Sequence, residues 1–123
     1  NVINVESSFC YPSIDRFFGE VKRVLRPGGY LHYTDLRLVH EIADWRAALA
    51  RSGLELVHER DITANVIEAL HRDTPRRRAG GRRIVSGPFS RIADTFTGVD
   101  GTRIPSLLAS GEMVYFSFLL RKE

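Results

Sequence analysis

Cysteine is nearly absent from this 123-residue sequence: Cys10 is the only one. A single thiol closes no intrachain disulfide, and no cysteine cluster offers a zinc site. No apolar run approaches the roughly 20 residues a membrane-spanning helix needs. No charged-then-apolar leader opens the chain, which sets an expectation of a cytoplasmic protein. Aromatic residues are missing between Arg72 and Ile84, where the arginines crowd. That absence argues against a single-stranded nucleic-acid surface, in which bases stack on aromatic rings, and no nucleic-acid partner is expected. Methionine is also scarce. The only one is Met113, and Asn1-Val-Ile-Asn-Val5 reads like the interior of a strand. The expectation is that residues precede Asn1 in the whole protein.

What is present is ordinary globular material. Apolar residues make up 43% and charged residues 27%, with a formal net charge of +3; that is enough for one small domain with a real core. The basic charge is uneven. Arg76, Arg77, Arg78, Arg82 and Arg83 form a cluster that reads first as a solvated loop broken by Gly80-Gly81, and second as a patch suited to peripheral contact with an anionic membrane surface.

Periodicity gives a regular order over the first half. Residues 1–5 read as a buried strand, and residues 6–12 as a loop. A helix capped by Ser13 follows, with Ile14, Phe17, Phe18, Val21, Val24 and Leu25 at three-to-four spacing. Pro27-Gly28-Gly29 ends it. Residues 30–34 read as a strand leading to Asp35-Leu36-Arg37, and His32 within it is expected to face a helix. A second helix over about 44–52 has Asp44 as cap, Trp45 and Leu49 facing the core, and Gly53 as stop. Residues 54–60 read as a third strand. Strand, helix, strand, helix, strand implies right-handed crossovers and a parallel sheet. The rhythm then breaks. Val66, Ile67 and Leu70 share one helical face, as do Val85, Phe89, Ile92 and Phe96. Residues 104–109 suggest a short helix, and 113–120 a last strand.

In an open parallel sheet, ligands bind beyond the carboxyl ends of the strands. That rule singles out residues 6–12 and 35–37. Glu6 is the first candidate for chemistry there; its bland alternative is a carboxylate that orders the loop. Cys10 reads as a small packed residue rather than a nucleophile. Tyr11 reads as pocket wall or as packing. Asp35 and Arg37 stand at the next strand's mouth. His32, His40, His58 and His71 show no metal-ligand spacing, and no metal is assigned.

Val2-Ile3-Asn4-Val5-Glu6-Ser7-Ser8, then Tyr11-Pro12, then Phe17 to Gly29 with its Val-Leu-Arg-Pro-Gly-Gly turn, and the strand end Tyr33-Thr34-Asp35-Leu36-Arg37, resemble class I S-adenosylmethionine-dependent methyltransferases from their fourth strand onward. Within that class the segments resemble phthiotriol and phenolphthiotriol dimycocerosate O-methyltransferases. The resemblance implies the C-terminal half of a Rossmann-like α/β sheet, its last strand antiparallel and paired beside residues 54–60. It implies a sheet core of 1–60 and 112–123, with 61–111 as a helical insert that acts as an acceptor-side lid. It implies a methyl donor, S-adenosylmethionine, touched here only by Asn4, Val5, Glu6 and Ser7, because no glycine-rich strand-to-helix loop occurs in the chain. It implies a hydroxylated lipid, polyketide or glycolipid acceptor met by Cys10, Tyr11, Asp35, Arg37, Phe89 and Phe96, with Glu6 catalytic. Relatives often carry a histidine near position 9 or 10; Phe9 and Cys10 stand here instead. The second reading left open is a non-catalytic remnant or interaction module without the cofactor half.

Overall fold

The computed structural model describes residues 1–84 and 103–123. The element order is β1 (Val2–Val5), a 3-10 turn (Ser8–Cys10), α1 (Ile14–Val24), β2 (Tyr30–Leu38), a second 3-10 turn (Val39–Glu41), α2 (Ile42–Arg51), β3 (Glu55–Asp61), α3 (Thr63–Ile84), α4 (Arg103–Ala109) and β4 (Met113–Arg121). Two compact units result: residues 1–62 with 114–123, and residues 63–113.

The first unit is a four-stranded sheet in the order β1-β2-β4-β3. β1 runs parallel to β2, with Val2 beside Leu31 and Asn4 beside Tyr33. β3 and β4 are antiparallel, with a bulge between Leu56 and His58. β4 is antiparallel to β2 as well: the Lys122 N–H meets the Gly29 carbonyl at 2.9 Å, and the Thr34 hydroxyl meets that of Ser117 at 3.2 Å, so one strand advances as the other returns. The antiparallel last strand thus lies between β2 and β3, neighbouring 54–60 as expected.

Both crossover helices cover one face of this sheet. Phe18, Val21 and Leu25 come from α1 and its end; Trp45, Ala48 and Leu49 come from α2. They meet Leu31, Tyr33, Leu54, Phe116, Phe118 and Leu120 in a single buried cluster. α1 forms where the sequence indicates. Ser13 Oγ accepts the Arg16 N–H at 3.3 Å, and Asp15 sits in the positive first turn. Its other end is held from afar: the Lys122 ammonium donates to the carbonyls of Lys22 and Leu25, both at 2.7 Å, completing groups the helix leaves unpaired. Gly28 at φ 74° makes the turn into β2.

Several expectations need correction. β1 is half-exposed rather than buried: Asn4 points to the α1 side, while Ile3 is 73% exposed. His32, beside Ile3, is exposed on the side away from α1 and α2. Period-two alternation gives two faces but does not say which one the helices choose. α2 begins at Ile42 after the second 3-10 turn, so Asp44 lies in its first turn instead of capping it. β2 extends through Leu38, absorbing Asp35 and Arg37.

In the second unit, α3 continues through Pro75 and the glycine pair to Ile84, where a loop had been expected. Arginine is a good helix former, and an interior glycine costs only about 1 kcal/mol against alanine. Leu70, Pro105, Leu108 and Met113 are buried. The expected helical face of Val85, Phe89, Ile92 and Phe96 lies outside the described residues. No helix among the described residues is long and apolar enough to cross a membrane.

Candidate functional site

The carboxyl ends of β1 and β2 meet the loop of residues 6–12, and a connected polar cluster fills that junction. Glu6 is the first residue past β1. Its N–H donates to the Thr34 carbonyl at 2.8 Å, continuing the ladder by one rung. Its φ is 50°, the left-handed region that non-glycine residues rarely adopt. The chain turns there, and the Glu6 side chain remains exposed, its charge felt at Tyr115 of β4. Burial, and next the Glu6 charge, push the Tyr115 phenol well above its ordinary range. Tyr115 therefore keeps its proton at neutral pH.

Two residues on, Ser8 is buried. Its N–H donates to Asp35 Oδ2 at 2.7 Å, and its hydroxyl donates to the same oxygen. Its lone pairs accept from Arg37 Nη2 at 2.9 Å and from the Tyr33 hydroxyl, which in turn accepts from Trp45 Nε1 at 2.9 Å. Each hydroxyl has one proton, so the direction of the chain follows: Trp45 to Tyr33 to Ser8 to Asp35. Nothing on Ser8 remains for a substrate. Burial raises the Tyr33 phenol as well, against the opposing pull of its Ser8 bond. Asp35 is fully buried and also accepts the Leu36 N–H at 2.9 Å. Arg37 reaches Asp35 Oδ1 at 3.6 Å, and its guanidinium lies 4.7 Å from the centre of the Trp45 ring.

On the other side of the loop, Asn4 Nδ2 donates to the Tyr11 hydroxyl at 2.9 Å, and Ser7 Oγ lies 3.0 Å from it. Asn4 Oδ1 is buried without a partner among the described residues. The Tyr11 ring packs against Phe17 at 5.2 Å. Cys10 is exposed, its thiol donating to the Ser7 carbonyl at 2.9 Å. A pocket of about 460 Å³ opens beside this loop between α1 and α2, walled by Ser8, Phe9, Tyr11, Arg37 and Trp45 among others.

The structure therefore brings Asn4, Glu6, Ser7, Cys10, Tyr11, Asp35 and Arg37 into one neighbourhood. Val5 lies beside them but is 57% exposed on the face away from α1. Phe89 and Phe96 lie outside the described residues. Sequence reasoning missed Tyr33, Trp45 and Tyr115 as polar partners. Their ring positions marked them as core, and nothing along the chain shows where a buried hydroxyl or indole N–H finds its partner. Among the described residues no group of three or more His, Cys, Asp or Glu side chains could hold a metal ion.

No family model matches the chain. Over 122 residues, 99% of its length, it is 39% identical to the phthiotriol/phenolphthiotriol dimycocerosates methyltransferase of Mycobacterium tuberculosis, of which it covers 45%. It is 44% identical over 101 residues to a probable phthiotriol/phenolphthiotriol dimycocerosates methyltransferase 2 of Mycobacterium ulcerans, covering 82% of this chain and 39% of that protein. It is 46% identical over 72 residues to a fatty-acid O-methyltransferase of Mycolicibacterium smegmatis, covering 58% of this chain and 26% of that one. The chain thus spans under half the length of the curated relatives it matches. Among solved structures it superposes on the StiE O-methyltransferase with a TM-score of 0.70 at 20% identity, covering 99% of this chain and 43% of that one. It superposes on the O-methyltransferase of a Brevibacillus brevis trans-AT polyketide multienzyme, bound to S-adenosyl-L-homocysteine, with a TM-score of 0.69 at 16% identity, covering 98% and 42%.

Proposed function

We propose that this chain, whose fold is that of part of a class I S-adenosylmethionine-dependent methyltransferase, belongs to a protein that methylates a hydroxyl of a lipid, polyketide or glycolipid. The observation that carries the reading is likeness over 99% of the chain to methyltransferases of phthiotriol dimycocerosates. The residues at the carboxyl end of β1 fit the cofactor. Among the described residues Asn4 Oδ1 is a buried acceptor without a partner, the kind of atom that a ligand N–H or O–H satisfies. The exposed Glu6 carboxylate, the first past the end of the same strand, suits a cationic donor. S-adenosylmethionine, when bound, supplies an electrophilic methyl group on a sulfonium.

The chain's own residues then have three tasks. Asn4 and Ser7, with the Val5 backbone, border the donor. Glu6 orients the acceptor hydroxyl and takes its proton as the oxygen attacks. Tyr11, Cys10 and Arg37 border the space in which an acceptor would lie. Phe9 brings no base to this loop and Cys10 donates its thiol to the Ser7 carbonyl, so the proton is assigned to Glu6. The helical unit, which contains Phe89 and Phe96, is proposed to govern acceptor choice, and the arginines of 76–83 to meet an anionic head group or membrane surface.

The test is transfer of a labelled methyl group from S-adenosylmethionine by the whole protein to a panel of long-chain diols, phenolic glycolipids and fatty acids. Methyl ether formation on a lipid hydroxyl supports the reading. Donor binding with no transfer to any lipid oxygen overturns it. Replacing residues 63–113 by a short turn should change selectivity across the panel; an unchanged ranking removes the helical unit from acceptor choice.

A further inference from the structure

We propose that Ser8 and Asp35 are positioning residues whose task is to hold Glu6 at the carboxyl end of β1, with Asp35 acting through Ser8. The proposal rests on the reading of Glu6 as the working carboxylate. It gives the fully enclosed Asp35 a task other than contact with an acceptor.

Glu6 sits in a left-handed conformation between two anchors on successive residues of β2. On one side its own N–H is bound to the Thr34 carbonyl at 2.8 Å. On the other, the Ser8 N–H is bound to Asp35 Oδ2 at 2.7 Å, with the Ser8 hydroxyl on the same oxygen. A residue in a sparsely populated conformation stays there only when its surroundings over-determine it. Here the surroundings are this pair of anchors. The second anchor is strong because it is charge-assisted and buried: Asp35 has no exposed surface, and Arg37 lies 3.6 Å away with only 11% of its side chain exposed. It is also rigid, because Ser8 Oγ has donated its one proton and filled both lone pairs. Trp45 and Tyr33 extend the chain into the core between α2 and the sheet. Release of Ser8 would leave the turn of residues 8–10 attached to β2 through Glu6 alone.

The direct readout is hydrogen exchange at the Glu6 amide in the whole protein. Ser8→Ala and Asp35→Asn should each speed exchange at Glu6 by about tenfold or more while the Leu31 amide in the core of β2 is unchanged. Ser8→Thr, which keeps the hydroxyl, should restore much of the protection. The kinetic readout is a cycle with Glu6→Gln. Ser8→Ala should lower kcat with KM for the methyl donor unchanged, and adding it to Glu6→Gln should cost nothing further, since one residue acts through the other. Full protection at Glu6 in Ser8→Ala overturns the proposal, and so do additive losses in the cycle. Where Asp35→Asn fails to fold, Ser8→Ala, which removes one oxygen, decides. A protein that transfers no methyl group, or a Glu6→Gln variant with normal turnover, sinks the functional reading instead and leaves the exchange result to judge the anchor.

Discussion

Glu6 is where conformation and chemistry coincide. A non-glycine residue at a φ of 50° costs about 1–2 kcal/mol against an ordinary backbone conformation. Glu6→Gly should therefore hold or raise the unfolding free energy while removing turnover, and Glu6→Gln should keep stability and lower turnover by about tenfold, roughly 1.4 kcal/mol in barrier. Urea denaturation and steady-state rates on the same two variants check both. A stability loss in Glu6→Gly would mean that the carboxylate's own interactions outweigh the strain. Tyr115 gives a pH signature. Its phenol keeps its proton to higher pH in the folded chain than in the unfolded one, first because it is buried and next because Glu6 is beside it. Above about pH 10 the folded state then binds more protons than the unfolded state, so stability falls as pH rises through the folded pKa. Tyr115→Phe should flatten that alkaline fall between about pH 9 and 11, seen as a smaller drop in the urea midpoint. Tyr33, shifted the same way, adds to that fall.

At the scale of elements, α1 and α2 define which face of the sheet is the core. Phe18 is fully buried and stands edge-on to Tyr33 at 5.5 Å. Phe18→Ala should destabilise the first unit by about 3–5 kcal/mol, measured by thermal or chemical unfolding. By contrast, the Arg51–Asp15 bridge between the two helices is more than half exposed on both sides. Removing it should cost less than about 1 kcal/mol, so the helices are held by the aromatic core and not by that ion pair. The helices themselves were legible from the chain because the signals are local: a serine cap, apolar residues every three or four positions, and a proline–glycine stop. The 3-10 turn at Val39–Glu41 and the displaced start of α2 were not. Glu41 reaches back to the Leu38 N–H at 3.0 Å, a choice of cap that competes with Asp44 and depends on where β2 ends.

At the scale of the molecule, one face of the first unit's sheet carries the two crossover helices, while exposure on the other is uneven, with Leu36 and Tyr115 buried. Ile3 and Val5 remain open there, while Leu56 and Val57 are half-exposed on the edge strand β3. Among the described residues, no glycine-rich loop joins the end of a strand to the start of a helix. The 123-residue chain alone is thus expected to bind S-adenosylmethionine weakly or not at all. Calorimetric titration is the check, and micromolar affinity for the isolated chain would show that residues 4–7 and their neighbours form a sufficient site.

Strand–helix alternation, the helix caps and stops, the last strand and the position of Glu6 beyond a strand end could all be read from the chain, because each depends on residues within a few positions of one another. The Val-Leu-Arg-Pro-Gly-Gly turn and the Asn-Val-Glu-Ser-Ser segment were enough to place the sheet. The left-handed turn at Glu6, its nearness to Tyr115 and the enclosed path from Trp45 to Asp35 needed the folded chain. Each joins residues far apart in sequence, and the direction of a buried hydrogen bond depends on which groups packing has left without water.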